Sequence, residues 1–283
     1  MTATAKLGSL TVNRMGYGAM QLAGPGVFGP PRDANVALAV LREAVASGVN
    51  HIDTSDYYGP YVVNELIAEA LHPYPDDLVL VTKIGGRRDN KGRWLPAFGA
   101  DEMTAAVHDN LRRLKLDVLD VVNLRLMFSH HGPAEGSLEA ELTTLAELQQ
   151  QGLIKHIGIS NVTPAQLVEA RSMTEIVCVQ NAYNIAHRGD DAMVAALGAA
   201  GIAYVPFFPL GGFSLLQSAA LDQVAADAAV TPMQVALAWL LQHAPNILLI
   251  PGTSSLGHLR ENLAAADLVL TPEAIATLDG IAG

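Results

Sequence analysis

Short apolar runs alternate with amphipathic stretches along the chain, and the alternation repeats eight times. "MGYGAM" precedes a helical pattern over 34–47, "VNHIDTS" one over 64–71, and "LVLVTKI", after a loop, one over 101–114. "VLDVVNLRL" precedes 137–151, "IKHIGIS" precedes 163–173, and "IVCVQNA" precedes 190–200. "IAYVPFFPL" leads into two helical stretches, 218–229 and 231–242, and "ILLIPG" into 256–265. The apolar runs are hydrophobic on both faces, as parallel strands covered by helices are. Ser160-Asn161 ahead of "TPAQL", and "TPMQ" and "TPEA" with proline in the first turn, read as helix starts. Eight such units in 283 residues predict an α/β fold of the (β/α)8 TIM barrel type, one domain over 1–283. A doubly wound sheet is the rival, but its Gly-rich turn should open a helix, and "GYGAMQLAGPG" opens none. The leading "KLGSLTVNR" predicts an N-terminal β-hairpin that could plug the barrel's bottom.

Catalytic groups of a barrel sit at the C-terminal ends of its strands. That rule gathers Asp53 and Tyr58, Lys83, Arg125, Ser160-Asn161, Gln180-Asn181, Phe207-Phe208 and Gly252-Thr253-Ser254 at one mouth. A phenol titrates near ~10 and is a poor acid at neutral pH, unless a nearby ammonium favours its anion. Lys83, from the adjacent strand, can supply that ammonium, and Asp53 can pair with Lys83. The same two residues would equally make an ordinary buried ion pair. Trp94, in the polar stretch "NKGRWLPAFG", reads as a loop aromatic that either meets a ligand or packs locally.

Composition narrows the classes. Half the residues are hydrophobic, enough for a large core. A formal net charge of -11 argues against nucleic acid and anionic membrane as partners. Cys178 is the single cysteine, so no disulfide framework is expected. The start "MTATAKLGSL" lacks a signal-peptide pattern, and no apolar run approaches the ~20 residues of a membrane span, so a soluble, cytoplasmic protein is expected. The nine histidines show no metal-ligand spacing, and the adjacent His130-His131 read as solvated, so no metal is expected. With no GxSxG elbow and no histidine partner for Cys178, nucleophilic hydrolysis has no support.

Taken together, "HIDTSDYYG" with "NELIAEAL", "VTKIGG", "LKLDVLDVVNLR", "GLIKHIGISNVTPAQL", "VQNAYN", "FFPLGG" and "IPGTSSLGHLRENLAA" resemble the aldo-keto reductases, in the family's order and over nearly the whole chain. The resemblance implies the same barrel and the NADPH-dependent reduction of an aldehyde or ketone. It places Asp53, Tyr58 and Lys83 on three members of the catalytic tetrad. Tyr58 would be the general acid, Lys83 would lower its pKa, and Asp53 would support Lys83. Ser160, Asn161 and Gln180 match hydrogen bonds to the nicotinamide carboxamide. Phe207 takes the place of the aromatic that stacks on the nicotinamide, followed by Pro209, Leu210 and Gly212 over the pyrophosphate. Thr253, His258, Glu261 and Asn262 fall where the family holds the adenosine and its 2'-phosphate, and Gly18 and Met20 near the nicotinamide ribose. The implied substrate walls are Met20, Tyr57, Trp94 and the surroundings of Phe128.

Two departures qualify this picture. The fourth tetrad member is usually His, whereas "VVNLR" puts Arg125 there. Arginine cannot act as a base, but it can donate to a carbonyl oxygen and attract an anionic group. "VNLR" also resembles a bacterial branch with pyridoxal reductases, which makes pyridoxal a candidate substrate. The second departure is Gly252 and His258, where many members carry Lys and Arg. NADPH stays favoured, with NADH bound more weakly and the margin reduced. An NADPH-binding accessory or redox-sensing barrel with little turnover is the alternative.

Overall fold

The protein is described by a computed structural model over residues 3–129, 132–212 and 217–282. Its first two strands, β1 (Thr4–Leu7) and β2 (Leu10–Asn13), form the expected antiparallel hairpin. Leu7 and Val12 are fully buried in one cluster with the inward side chains of the barrel, so the hairpin closes the lower end. The barrel strands follow as β3 (Tyr17–Gly18), β4 (His51–Asp53), β5 (Val79–Ile84), β8 (Leu119–Arg125), β9 (Ile154–Ser160), β10 (Ile176–Gln180) and β11 (Ala203–Tyr204). They pair in parallel in that order.

The eighth staves are residues 246–249, which join the two edges. Tyr204 N donates to the Asn246 carbonyl at 2.9 Å and Leu248 N to that of Tyr204 at 2.9 Å. On the other side Gly16 N donates to Leu249 and Leu249 N to Arg14, both at 2.8 Å. Closure joins the two edges of the barrel sheet, so that neither is left open.

The helices are α1 (Ala34–Ala46), α2 (Val62–Leu71), α3 (Ala100–Leu114), α4 (Glu139–Gln150), α5 (Pro164–Met173), α6 (Asp191–Ala199), α7 (Ala219–Ala228), α8 (Pro232–His243), α9 (Leu256–Ala264) and α10 (Pro272–Asp279). Each predicted stretch becomes a helix with ends moved by one or two residues, the usual fraying range. One start signal is corrected. Ser160 ends β9, and the cap of α5 is Thr163, whose side chain accepts from Gln166 N while Gln166 reaches back, a reciprocal pair. Thr231 and Gln234 do the same for α8. No single helix among the described residues is long and apolar enough to cross a membrane.

The stretch around Trp94 is also corrected. It is an antiparallel hairpin, β6 (Gly86–Arg88) with β7 (Trp94–Pro96), rather than a loop. Each strand has three residues, too short for periodicity to reveal.

Candidate active site

Asp53 is the last residue of β4, and its backbone neighbours are tied down by a buried polar network. Thr54 Oγ1 donates to Asn64 Oδ1 at 2.8 Å, Asn64 Nδ2 to Asn110 Oδ1 at 2.9 Å, and Thr82 Oγ1 to the same oxygen at 2.6 Å. These bonds lock the β4 exit to α2, α3 and β5. Gly59, with φ 97°, then turns the chain into α2 directly after Tyr58, a backbone state that glycine adopts without strain.

Lys83 Nζ donates to Asp53 Oδ1 in a buried ion pair, and to the Thr54 carbonyl at 3.1 Å. Gln180 Nε2 donates to the other Asp53 oxygen at 2.7 Å. The carboxylate is therefore held at both oxygens, and the two partners come from strands on either side of the barrel lumen. The Lys83 ammonium lies 5.3 Å from the centroid of the Tyr58 ring. Burial pushes the Tyr58 phenol well above its ordinary value, Asp53 adds to that, and Arg125 draws it back down. Arg125 is thus a second cation facing the phenol, beside the Lys83 ammonium that Asp53 holds in place.

Arg125 ends β8. Its Nη1 donates to Ser160 Oγ at 3.2 Å, and its guanidinium sits 4.6 Å from the centroid of the half-buried Phe207 ring. Among the described residues no carboxylate forms an ion pair with it, so the charge is free to act on the site. Ser160 is thus an acceptor for Arg125. Asn161 adopts φ 63°, and its amide donates to the Leu126 carbonyl at 3.0 Å.

A cavity of about 470 Å³ opens beside this group, the size of a small-molecule pocket. Gly18, Met20, Asp53, Tyr58, Lys83, Phe207, Pro209, Leu210, Gly212, Thr253, His258, Glu261 and Asn262 all line it. Phe208 and Gly252, which the strand-end rule gathers at the mouth, line it too, as do residues to which sequence reasoning gave no role: Gln21, Thr231, Met233, Ile250 and Pro251. Their place in the cleft shows only once α8 and the last barrel strand are positioned. Arg125, Ser160, Asn161 and Gln180 stand outside this lining, as do Tyr57 and Trp94. Those last two form an aromatic chain toward Tyr58: Trp94 meets Tyr57 edge-on at 5.5 Å, and Tyr57 meets Tyr58 edge-on at 5.5 Å.

Two features mark the cavity as a cradle. A Cβ on Gly18 would lie 2.4 Å from the Ile250 carbonyl oxygen, so only glycine lets the two backbones meet at its wall. Gln180 Oε1 is buried with no partner, leaving an acceptor available next to Asp53. Cys178 lies below, its thiol pushed up to about 12 by burial, with Sγ 3.3 Å from Asn123 Oδ1. No group of three or more metal-ligating side chains is present among the described residues; His130 and His131 lie outside them.

A model of the aldo/keto reductase family matches residues 14–282. The chain is 70% identical over 279 residues to the pyridoxine 4-dehydrogenase of Escherichia coli, covering 98% of each chain. It is 35% identical over 277 residues to an uncharacterised oxidoreductase of Schizosaccharomyces pombe, covering 98% of this chain and 89% of that one. Among solved structures, a thermostable aldo-keto reductase in complex with the inhibitor epalrestat superposes with a TM-score of 0.83 at 29% identity, covering 99% of this chain and 100% of that one.

Proposed function

The chain belongs to the aldo/keto reductase family, and from that premise we propose that this single barrel domain, residues 1–283, interconverts an aldehyde and an alcohol with NADP(H), with pyridoxal and pyridoxine as the candidate pair. The observation that carries the reading is the buried Asp53–Lys83–Tyr58 group at the end of a long cleft. NADPH, when bound, supplies the hydride. The cleft fits it: Phe207 offers an aromatic face and Thr253 and His258 a polar far end, and just behind the lining Gln180 Oε1 is an acceptor without a partner, suited to a carboxamide N–H.

Tyr58 gives the substrate carbonyl oxygen its proton as negative charge develops there. Its buried phenol holds that proton until the oxygen demands it. Lys83, fixed by Asp53 and the Thr54 carbonyl, keeps a positive charge against the ring. Asp53 cannot rotate, because Gln180 holds its second oxygen. Arg125 is a permanent cation with no carboxylate partner among the described residues, so it orients the carbonyl oxygen or an anionic substituent such as a pyridoxal phenolate. Tyr57 and Trp94 form the substrate wall. Ser160 and Asn161 complete the nicotinamide side.

The test is direct. Purified protein should oxidise NADPH with pyridoxal and reduce NADP with pyridoxine, both followed by nicotinamide absorbance. Tight NADPH binding without turnover on either substrate or on a panel of other aldehydes would replace this reading with a cofactor-binding accessory barrel.

A further inference from the structure

We propose that Arg88 is a positioning residue that clamps the β6–β7 hairpin to the 24–29 segment, and so sets the wall against which a flat aromatic aldehyde lies. The inference rests on the functional reading above, because it takes Trp94 and Tyr57 as that wall.

Arg88 ends β6. Within its own hairpin, Nε and Nη2 donate to the Gly92 carbonyl at 2.9 and 2.6 Å. Across to the other segment, Nη1 donates to the Val27 carbonyl at 2.9 Å and Nη2 to that of Gly26 at 3.0 Å. One planar fork thus joins backbones some sixty residues apart in sequence. Its Cζ also sits 3.9 Å from the Trp94 ring centroid and 5.4 Å from that of Phe28. No carboxylate pairs with it among the described residues, so its donors are committed to neutral carbonyls.

Both clamped parts touch the neighbourhood of Tyr58. Trp94 meets Tyr57 edge-on, and Tyr57 meets Tyr58. The 24–29 segment pairs with the residue after Tyr58: Gly29 N donates to the Gly59 carbonyl at 2.9 Å, and Gly59 N to that of Val27 at 3.3 Å. Without the guanidinium, a hairpin of two three-residue strands would have little to hold it over the mouth. Lysine cannot replace it, because a single ammonium does not span both carbonyl sets or stack as a plane.

The experiment compares wild type with Arg88→Ala, Arg88→Lys, Trp94→Ala and the Arg88→Ala/Trp94→Ala pair. Each is assayed with NADPH on pyridoxal and on propionaldehyde, and by amide hydrogen exchange of the free protein. Arg88→Ala should raise KM for pyridoxal about tenfold while kcat and the propionaldehyde KM move less than about threefold. Arg88→Lys should resemble Arg88→Ala, and the double variant should be no worse than Trp94→Ala alone. Exchange should quicken in 24–29 and 86–96 and stay unchanged in β8 and β9. Equal KM rises on both aldehydes, full rescue by lysine, multiplicative losses in the double variant, or unchanged exchange would overturn the clamp. If wild type reduces neither aldehyde, the functional reading fails, and the exchange data still judge whether Arg88 holds the hairpin.

Discussion

The lower and upper halves of the barrel lumen are built by the same strands from opposite materials. Below, Leu7 and Val12 of the hairpin pack with Val79, Val81, Val121, Ala203, Val205 and Leu248. Two residues further along, β5 turns from Val81 to Lys83, β8 passes through Asn123 to Arg125, and β10 goes from Cys178 to Gln180. A step of two residues is about 7 Å, so the medium changes from hydrocarbon to fixed ions over one side-chain layer. The lower half supplies rigidity, and the upper half can therefore hold a buried ion pair and a buried phenol in place. His51 marks the boundary. It shares the β4 lumen face with Asp53, both its ring nitrogens are buried without a partner, and burial pushes its pKa down to about 4.

The sharpest separation of the two halves comes from Tyr58→Phe. Carbonyl reduction should fall by at least ~100-fold, the scale of general acid catalysis, while NADPH affinity and thermal stability hold. Near wild-type turnover would remove Tyr58 from its assigned role.

His51 should show the reverse profile, a stability effect governed by acid. Its folded pKa is depressed, so the unfolded chain takes up a proton first as pH falls. The stability it contributes is complete above about 6.5 and is lost progressively toward about 4, about 3 kcal/mol in all. Asp56, pushed up to about 7 by burial, acts with the opposite sign: its contribution is lost as pH rises from 3.8 toward 7. The variant must therefore be compared with wild type at each pH. His51→Leu should gain on wild type in urea denaturation as pH drops from about 7 to about 5. A difference independent of pH would mean that His51 titrates in the fold as it does in the unfolded chain.

How much of this contrast could be read in the sequence depended on segment length. The helices are long enough for periodicity to show, the barrel strands, short ones included, sit in apolar runs ahead of a helix, and the hairpin plug was visible in "KLGSLTVNR". Asp53, Lys83 and Tyr58 were legible because strand ends and spacing place them together. The β6–β7 hairpin was not, since its only signal is the turn "DNKG" between two three-residue strands, and Arg88 went unnoticed with it. Nor could sequence reveal that Arg125 leans on Ser160 and Phe207, or that Gln180 holds the second oxygen of Asp53. Those depend on distances across the lumen.

Arg125 tests whether the upper layer discriminates by charge. Replacing it with alanine should weaken kcat/KM for pyridoxal by about 1.5–3 kcal/mol, tenfold to a hundredfold, and affect a neutral aromatic aldehyde less. Arg125→His should recover the neutral substrate and lose the anionic preference. Equal losses on both substrates would leave Arg125 as a shaping group that braces Phe207 and Ser160.

The smallest effect is expected farthest from the reacting atoms, at the start of α9. Ser255 caps this helix, its side chain accepting from His258 N at 3.4 Å, and Thr253 Oγ1 accepts from Ser255 N at 3.1 Å. The Thr253 carbonyl in turn accepts from the buried Tyr17 hydroxyl at 2.6 Å, which fixes the turn to the barrel wall. Exposed amides at a fixed helix start already favour a phosphate, so His258 has only to add to that. His258→Arg supplies a permanent, two-pronged cation and should raise the preference for NADPH over NADH about tenfold. His258→Ala should lower it by a smaller factor, with kcat on saturating cofactor unchanged in both. Dissociation constants for the two cofactors, measured by fluorescence quenching, give the ratio directly. If all three proteins return the same ratio, the 2'-phosphate lies away from α9, and the cleft must run in another direction from Phe207.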